Sequence, residues 1–453
     1  MRGTASTTGR RRRPIGLGAI GGPRELWVVN HYAFGPDHPT GSRHYDLARR
    51  AASEGWHVTI FAAGRSHLSR QEERVSGLRL SASGHAGGVR FVWLRTFPYR
   101  GNDWRRQLNM LSFLLMFLVA QARAKDPDVI VGSTVHPFAA LGAWMAARLR
   151  GAAFVFEIRD LWPQTLVDLG ALRVGSPGER LLRALESHLV RHASAVITLL
   201  PGARDYLERR GLPSGHVVYI PNGVDLDAFR PGVVLPPDAP PDVVGTLSVI
   251  ERFRSSGAFV VGYVGSFGRV NNLRVVIDAA RLADEQAPGR VRVILMGGGT
   301  ERGMLERRAG WGQSAVIAPP VPKPFVPAIL AALDATIVHT TSTPVYQYGI
   351  SFNKLFEYMA AGRPVLFACT SAYDPISETG AGITSPPDDP EYLARALISL
   401  AGTPKSVLQE MGRRARLYVE REHNLDRLGA SFVATIDGAS RRQRGPDRDQ
   451  DAA

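Results

Sequence analysis

The chain's 453 residues exceed what one core normally organises and 44% of them are hydrophobic, so two domains of roughly 200 residues each are expected. The formal net charge is +14; residues 1–23 supply five Arg and no acid, residues 439–453 supply four Arg against three Asp, and the body between keeps +8. A single cysteine, Cys369, excludes an intramolecular disulfide and fits a reducing cytoplasm, while the lack of Cys/His metal spacing or a basic–aromatic interleave sets nucleic acid aside in favour of anionic lipid or phosphorylated substrates.

Gly, Ser, Thr and Arg dominate residues 1–23, which read as a disordered leader. Arg10 to Arg13 are either a solvated charge run or a contact for anionic lipid, and no long apolar run follows them to make a secretory signal. Glu25 to Asn30 reads as the first strand, followed by a loop with Gly41, a helix opening at Arg43 and His44, and a second strand at Val58 to Phe61. This βαβ opening lacks G-x-G-x-x-G, so a nicotinamide or flavin cofactor has no support. Leu108 to Ala120 is the most apolar helix candidate and too short to span a bilayer, which takes about 20 such residues. It is open to two readings: a core helix, or a helix on a membrane surface with Arg100, Arg105, Arg106 and Arg123 near headgroups.

Asp128 to Val131, Ala153 to Glu157, Ala195 to Leu199 and Val217 to Ile220 read as further strands, the last running into Pro221 to Asp225. The proline-rich stretch 231–257 reads as a linker or surface excursion. A second βαβ series starts at Phe259 and continues through Val291 to Gly297, the strand SAVIA and Ala335 to Thr340. It ends on Tyr348 to Leu366, YGISFNKLFEYMAAGRPVL, a glycine loop, a helix and a strand. Two such alternations predict an α/β protein with two doubly wound parallel sheets over 24–230 and 258–412, facing each other across a cleft. Residues 413–436 are expected to be a helix crossing back to the first domain, and 437–453 a disordered tail.

Within Tyr348 to Leu366, free N–H groups at the helix start and Lys354 suit a phosphate or diphosphate, and Glu357, one turn on, suits sugar hydroxyls. The alternative from spacing alone is an amphipathic helix with solvated charges. The stretch resembles the nucleotide-sugar signature of glycosyltransferase family 4, retaining enzymes of the GT-B fold with two Rossmann-like domains, in the form found in a surface-polysaccharide subgroup. Glu357 matches the second of the family's two glutamates, and Gly349 stands where the first would be. The resemblance implies a nucleoside diphosphate sugar as co-substrate, no metal and no other cofactor. Its diphosphate would lie on Gly349, Ile350, Ser351, Phe352 and Asn353 and on Lys354, with Gly265 and Ser266 on the same side and Glu357 on the ribose.

Family members commonly carry an Arg and a Lys where this chain has Ser266 and Asn271. Charge on a departing diphosphate needs a cation or fixed dipoles, so Arg269 is the first candidate substitute, then Lys354, then Lys323. His136 follows a strand where the family places an active-site histidine; by itself it reads as well as a hydrogen-bonded structural residue. On the acceptor side lie Gly41 and Arg43, and Arg159 and Asp160 either line the acceptor site or pair with each other. The expected function is a cytoplasmic, membrane-peripheral transfer of a sugar to a glycan or lipid-linked acceptor. A sugar-nucleotide epimerase of the same fold and a non-catalytic sugar-nucleotide-binding protein are the alternatives.

Overall fold

The computed structural model describes residues 24–35, 43–66, 71–101, 103–134, 136–310 and 312–444, so Gly41, the basic leader and residues 445–453 lie outside the described part. The first sheet contains β1 (Arg24–Val29), β2 (Trp56–Ala63), β3 (Ser81–Ala86), β4 (Val89–Leu94), β5 (Val129–Thr134), β6 (Ala153–Ile158), β7 (Ala195–Thr198) and β8 (Val217–Tyr219). Their order is β3-β4-β2-β1-β5-β6-β7-β8, parallel except for β3. The second sheet contains β9 (Phe259–Ser266), β10 (Val291–Gly298), β11 (Ala315–Ala318), β12 (Ala335–His339), β13 (Val365–Ala368) and β14 (Gly382–Ser385), all parallel, in the order β11-β10-β9-β12-β13-β14. The central strands are buried along both faces, as continuous apolar runs such as Val129–Val131 and Val293–Met296 require. Two Rossmann-like domains are therefore present, each with helices on both faces of its sheet.

Three boundaries differ from expectation. The stretch read as a linker is mostly a helix, Pro241–Ser255, whose Val243, Ile250 and Phe253 join the core of the second domain. Its prolines stand at and just before the first helical position, where the missing N–H costs nothing, so they start a helix rather than preclude one. The terminal helix is two: Lys405–Glu422 stays on the second domain through Ala415 and Val419, and Leu425–Arg444 crosses to the first. The break is fixed by Val224 N–H donating to the His423 carbonyl at 2.8 Å and Leu425 N–H to the Val224 carbonyl at 3.2 Å. Finally, order continues past residue 437: Asp437 accepts from Arg24 at 2.6 Å and from the Trp56 indole at 3.1 Å, while Phe432, Ile436 and Ala439 join the first domain's core on the side of β5 and β6.

Candidate active site

Ligands of open parallel sheets sit beyond the carboxyl ends of the strands, and here the two sets of ends face one another. Two cavities lie in the cleft. The first, about 330 Å³, is lined by Arg43 and by Pro221 to Asp225 from one side and by Lys323, Asn353 and Glu357 from the other. The second, about 280 Å³, is lined by Arg159, Asp160 and Leu161 after β6 and by Gly349 to Phe352 opposite. Asn222 lines both.

The loop and the helix Asn353–Ala360 thus run from one cavity to the other. Gly349 has φ +101°, a conformation open to glycine, and a Cβ there would lie 2.6 Å from the Pro201 ring. That close approach of the domains explains why no glutamate occupies the position. Gly202 N–H donates to the Tyr348 carbonyl at 2.9 Å and the Asn222 amide to the Ser351 carbonyl at 2.8 Å, so the first domain holds the loop directly. No side chain caps the helix start. Glu357 projects into the first cavity, ion-paired with Lys323, whose charge is thereby committed to that carboxylate rather than to a diphosphate.

Lys354 turns inward instead. Its ammonium donates to Tyr263 Oη at 2.9 Å and Asn271 Oδ1 at 2.5 Å, and sits 4.6 Å from the centre of the Tyr263 ring. Both partners are neutral. Burial pulls its pKa down to about 7. Asn271 is itself held by the Ser266 carbonyl, which accepts its amide at 2.9 Å, and the preceding Gly265 is half-buried beside Tyr263. In space, therefore, the ammonium of Lys354 reaches the residue that stands where the family's lysine is usual. Arg269 opens the short turn Arg269–Asn271 and is exposed.

On the first domain, Arg43 is less free than its place suggests. It donates to Glu157 at 3.0 Å and to the Ile220 and Pro221 carbonyls at 2.7 and 2.5 Å. His44 also meets Glu157, Nε2 to Oε2 at 2.5 Å, and its Nδ1 lies 2.9 Å from the Asn30 amide nitrogen. Burial holds His44 below the usual histidine range, while His44 and Arg43 hold Glu157 well below the usual carboxylate range. His136 is fully buried and lines neither cavity; its Nε2 lies 2.7 Å from His31 Nδ1, and burial with Arg106 nearby lowers its pKa to about 3. A direct sugar contact from His136 would require an edge that this arrangement covers. Arg159 and Asp160 both line the second cavity, and no ion pair joins them. Among the described residues, no group of three or more His, Cys, Asp or Glu gathers to hold a metal ion.

Sequence reasoning passed over Glu157, Asn222 and Tyr263. The signal for Glu157 was an acid inside the apolar run AFVFEI, since a buried carboxylate needs a cation within reach.

Two family models match the chain, the glycosyl transferase 4-like domain over residues 40–223 and glycosyl transferases group 1 over residues 258–403. WbjE of Pseudomonas aeruginosa, named as a probable glycosyltransferase, is 27% identical over 306 residues, 64% of this chain and 72% of that protein. WcaI of Escherichia coli K12, a glycosyl transferase named for colanic acid biosynthesis, is 28% identical over 218 residues, 47% of this chain and 50% of that protein. The solved structure of Anabaena HepE in complex with UDP-glucose superposes with a TM-score of 0.62 at 15% identity, covering 91% of this chain and 99% of that one. The fold is that of the GT-B glycosyltransferases. Within that class, the chain is a glycosyltransferase of the family 4 type.

Proposed function

We propose that the chain transfers a sugar, with retention, from a nucleoside diphosphate sugar to a glycan or lipid-linked acceptor in surface-polysaccharide or glycoconjugate synthesis. The observation that carries this reading is the run from Gly349 to Glu357, whose loop lines the second cavity and whose helix start and Glu357 carboxylate line the first, with the Lys354 ammonium turned inward between them. The nucleoside occupies the first cavity with its ribose on Glu357, and the diphosphate follows the loop toward Lys354 and Arg269. Acceptor attack and diphosphate departure share one face of the sugar. Support also comes from the name of WcaI and from the ligand of HepE. No metal takes part, so turnover should persist in excess EDTA.

A thermal-shift screen against nucleoside diphosphate sugars tests the donor class, because binding to the native state alone raises the melting temperature. Glu357→Gln should weaken the selected donor about ten- to hundredfold, the value of a charged hydrogen bond or two. An unchanged donor affinity in that variant would remove Glu357 from the site.

The membrane-peripheral part of the reading rests on the helix Trp104–Ala120. Phe113 and Phe117 are fully buried, and His31 stacks on Phe113 with ring centres 4.5 Å apart. The opposite face leaves Trp104, Leu108, Leu111, Leu115 and Val119 exposed in one stripe, with Arg105 and Arg123 exposed toward its ends. Both sequence readings therefore apply, one to each face. No helix among the described residues is long and apolar enough to cross a membrane. A Leu111→Glu, Leu115→Glu double variant should lose most of the salt-sensitive co-sedimentation with anionic vesicles while keeping the wild-type melting temperature. Equal co-sedimentation of variant and wild type would rule the stripe out as a lipid contact.

A further inference from the structure

The chain passes between the two domains twice, and the passages run side by side. On the outward passage Ile220 packs in the core of the first domain and Val224 in that of the second; on the return Val419 packs in the second and Leu428 in the first. The two backbones pair at Val224 and Asn424, and a Cβ on Gly223 would lie 3.2 Å from Leu425 Cα, so glycine is what lets them approach. His423 stands in the return passage, buried, and lines neither cavity.

The His423 ring makes two contacts that the pairing of the passages does not need. Its Nδ1 donates to the Asn222 carbonyl at 2.8 Å. One face lies on Phe356 of the helix Asn353–Ala360, with ring centres 3.5 Å apart and planes 19° from parallel. Burial lowers the ring's pKa to about 4, so it is neutral near pH 7, and its carbonyl partner places the hydrogen on Nδ1. Asn222 in turn donates its amide to the Ser351 carbonyl and lines both cavities. An apolar side chain at 423 could pack on Phe356 as well, but it would leave the carbonyl of the buried Asn222 without this donor.

We propose that His423 is a positioning residue for the loop Gly349 to Phe352. It fixes the backbone of Asn222, whose side chain holds Ser351, and it braces the helix that follows the loop at Phe356, so the alignment of the two passages reaches the donor side of the cleft. The inference rests on the donor reading for what the loop binds, not for how the loop is held. A loop already in its binding shape is spared the cost of ordering when the ligand arrives.

The test is a double-mutant cycle on His423→Phe and Asn222→Ala, read by calorimetric titration of a panel of nucleoside diphosphates and by amide hydrogen exchange of the loop in the free protein. His423→Phe keeps the ring on Phe356 and removes the donor; it should weaken the selected nucleoside diphosphate about three- to tenfold, the value of one hydrogen bond, and speed exchange in the loop. In the Asn222→Ala background, which keeps the carbonyl but not the amide that reaches Ser351, the same substitution should change neither. His423→Asn, whose amide nitrogen stands where Nδ1 does, should recover most of the affinity. His423→Gln, whose amide nitrogen stands in the place of Nε2, should behave as the phenylalanine variant does, and it carries the same cycle if that variant folds poorly. Equal weakening in both backgrounds would reduce His423 to a packing residue and overturn the proposal, as would wild-type affinity and exchange in His423→Phe and His423→Gln. If wild type binds no nucleoside diphosphate, the donor reading falls, and exchange alone decides: an acceleration that depends on Asn222 leaves the positioning role standing, and its absence removes it.

Discussion

Lys354→Met should lower kcat on the order of 10²-fold while changing the donor KM much less, the signature of a contact that strengthens as the leaving diphosphate gains charge. The reason is the company the ammonium keeps. Tyr263 Oη and Asn271 Oδ1 orient it without neutralising it, and the other titratable groups nearby are uncharged at neutral pH. Burial lowers His339, whose Nδ1 donates to the Asn271 carbonyl at 3.0 Å, and pushes the Cys369 thiol up to about 11. Among the described residues no carboxylate binds Lys354, which turns inward and lines neither cavity, so its charge stays uncompensated next to the donor loop, whereas Lys323 is committed to Glu357. Arg269→Ala should give a smaller loss in kcat, because that side chain is exposed and must be ordered by the substrate. A larger loss for Arg269→Ala than for Lys354→Met would transfer the main charge-neutralising role to the loop arginine.

The depressed pKa of Lys354 gives a second readout with a definite sign. The free protein loses the ammonium's charge as pH rises through about 7, and a diphosphate beside it favours the charged form. Donor binding should therefore take up close to one proton at pH 8 and almost none at pH 6, measured by calorimetry in buffers of different ionisation enthalpy. Between about 7 and the ordinary lysine value near 10.4, the unfolded chain binds more protons here than the native one, so this group makes stability rise with pH across that window. Lys354→Met should abolish both effects.

What the sequence displayed and what it concealed follow the range of the interactions involved. Parallel strands such as Val129–Thr134 announce themselves because burial on both faces demands an unbroken apolar run, and the loop–helix at Gly349 announces itself through local chemistry. The hairpin Ser81–Ala86 and Val89–Leu94 escaped notice, although Gly87–Gly88 between the strands is a standing turn signal; β3 is mostly exposed and carries no apolar alternation to support it. Which cation would serve the diphosphate was not legible. Arg269, Lys323 and Lys354 are alike as letters, and only their positions relative to Glu357, Tyr263 and Asn271 separate them. The same holds for His136, whose burial against His31 depends on two strands brought together from 105 residues apart.

Glu157→Ala should cost about 3–5 kcal/mol of stability, because it leaves the guanidinium of Arg43 buried without its counter-charge. The network is complete as it stands. Neutral His44 donates from Nε2 to Glu157 and accepts at Nδ1 from the Asn30 amide, whose oxygen in turn accepts from Tyr32 N–H at 3.1 Å, so one cation faces one anion. Glu157→Gln should cost less than the alanine variant, since an amide oxygen still serves Arg43, but its NH₂ would confront the His44 N–H, and reversing that ring's tautomer would break the Asn30 pairing. Because Glu157 is held well below the usual range, its contribution is present above the unfolded carboxylate value near 4.3 and is lost as pH falls below it. The gap in urea midpoint between wild type and Glu157→Gln should accordingly narrow below about pH 4. The consequence reaches the cleft: Arg43 holds the Ile220 and Pro221 carbonyls, and the turn they begin carries Asn222 onto the Ser351 carbonyl of the donor loop. Glu157→Gln should thus raise the donor KM, with Asn222→Ala doing the same without the loss of stability. A Glu157→Ala protein with the wild-type midpoint and the wild-type KM would show that Arg43 finds adequate partners in the two carbonyls alone.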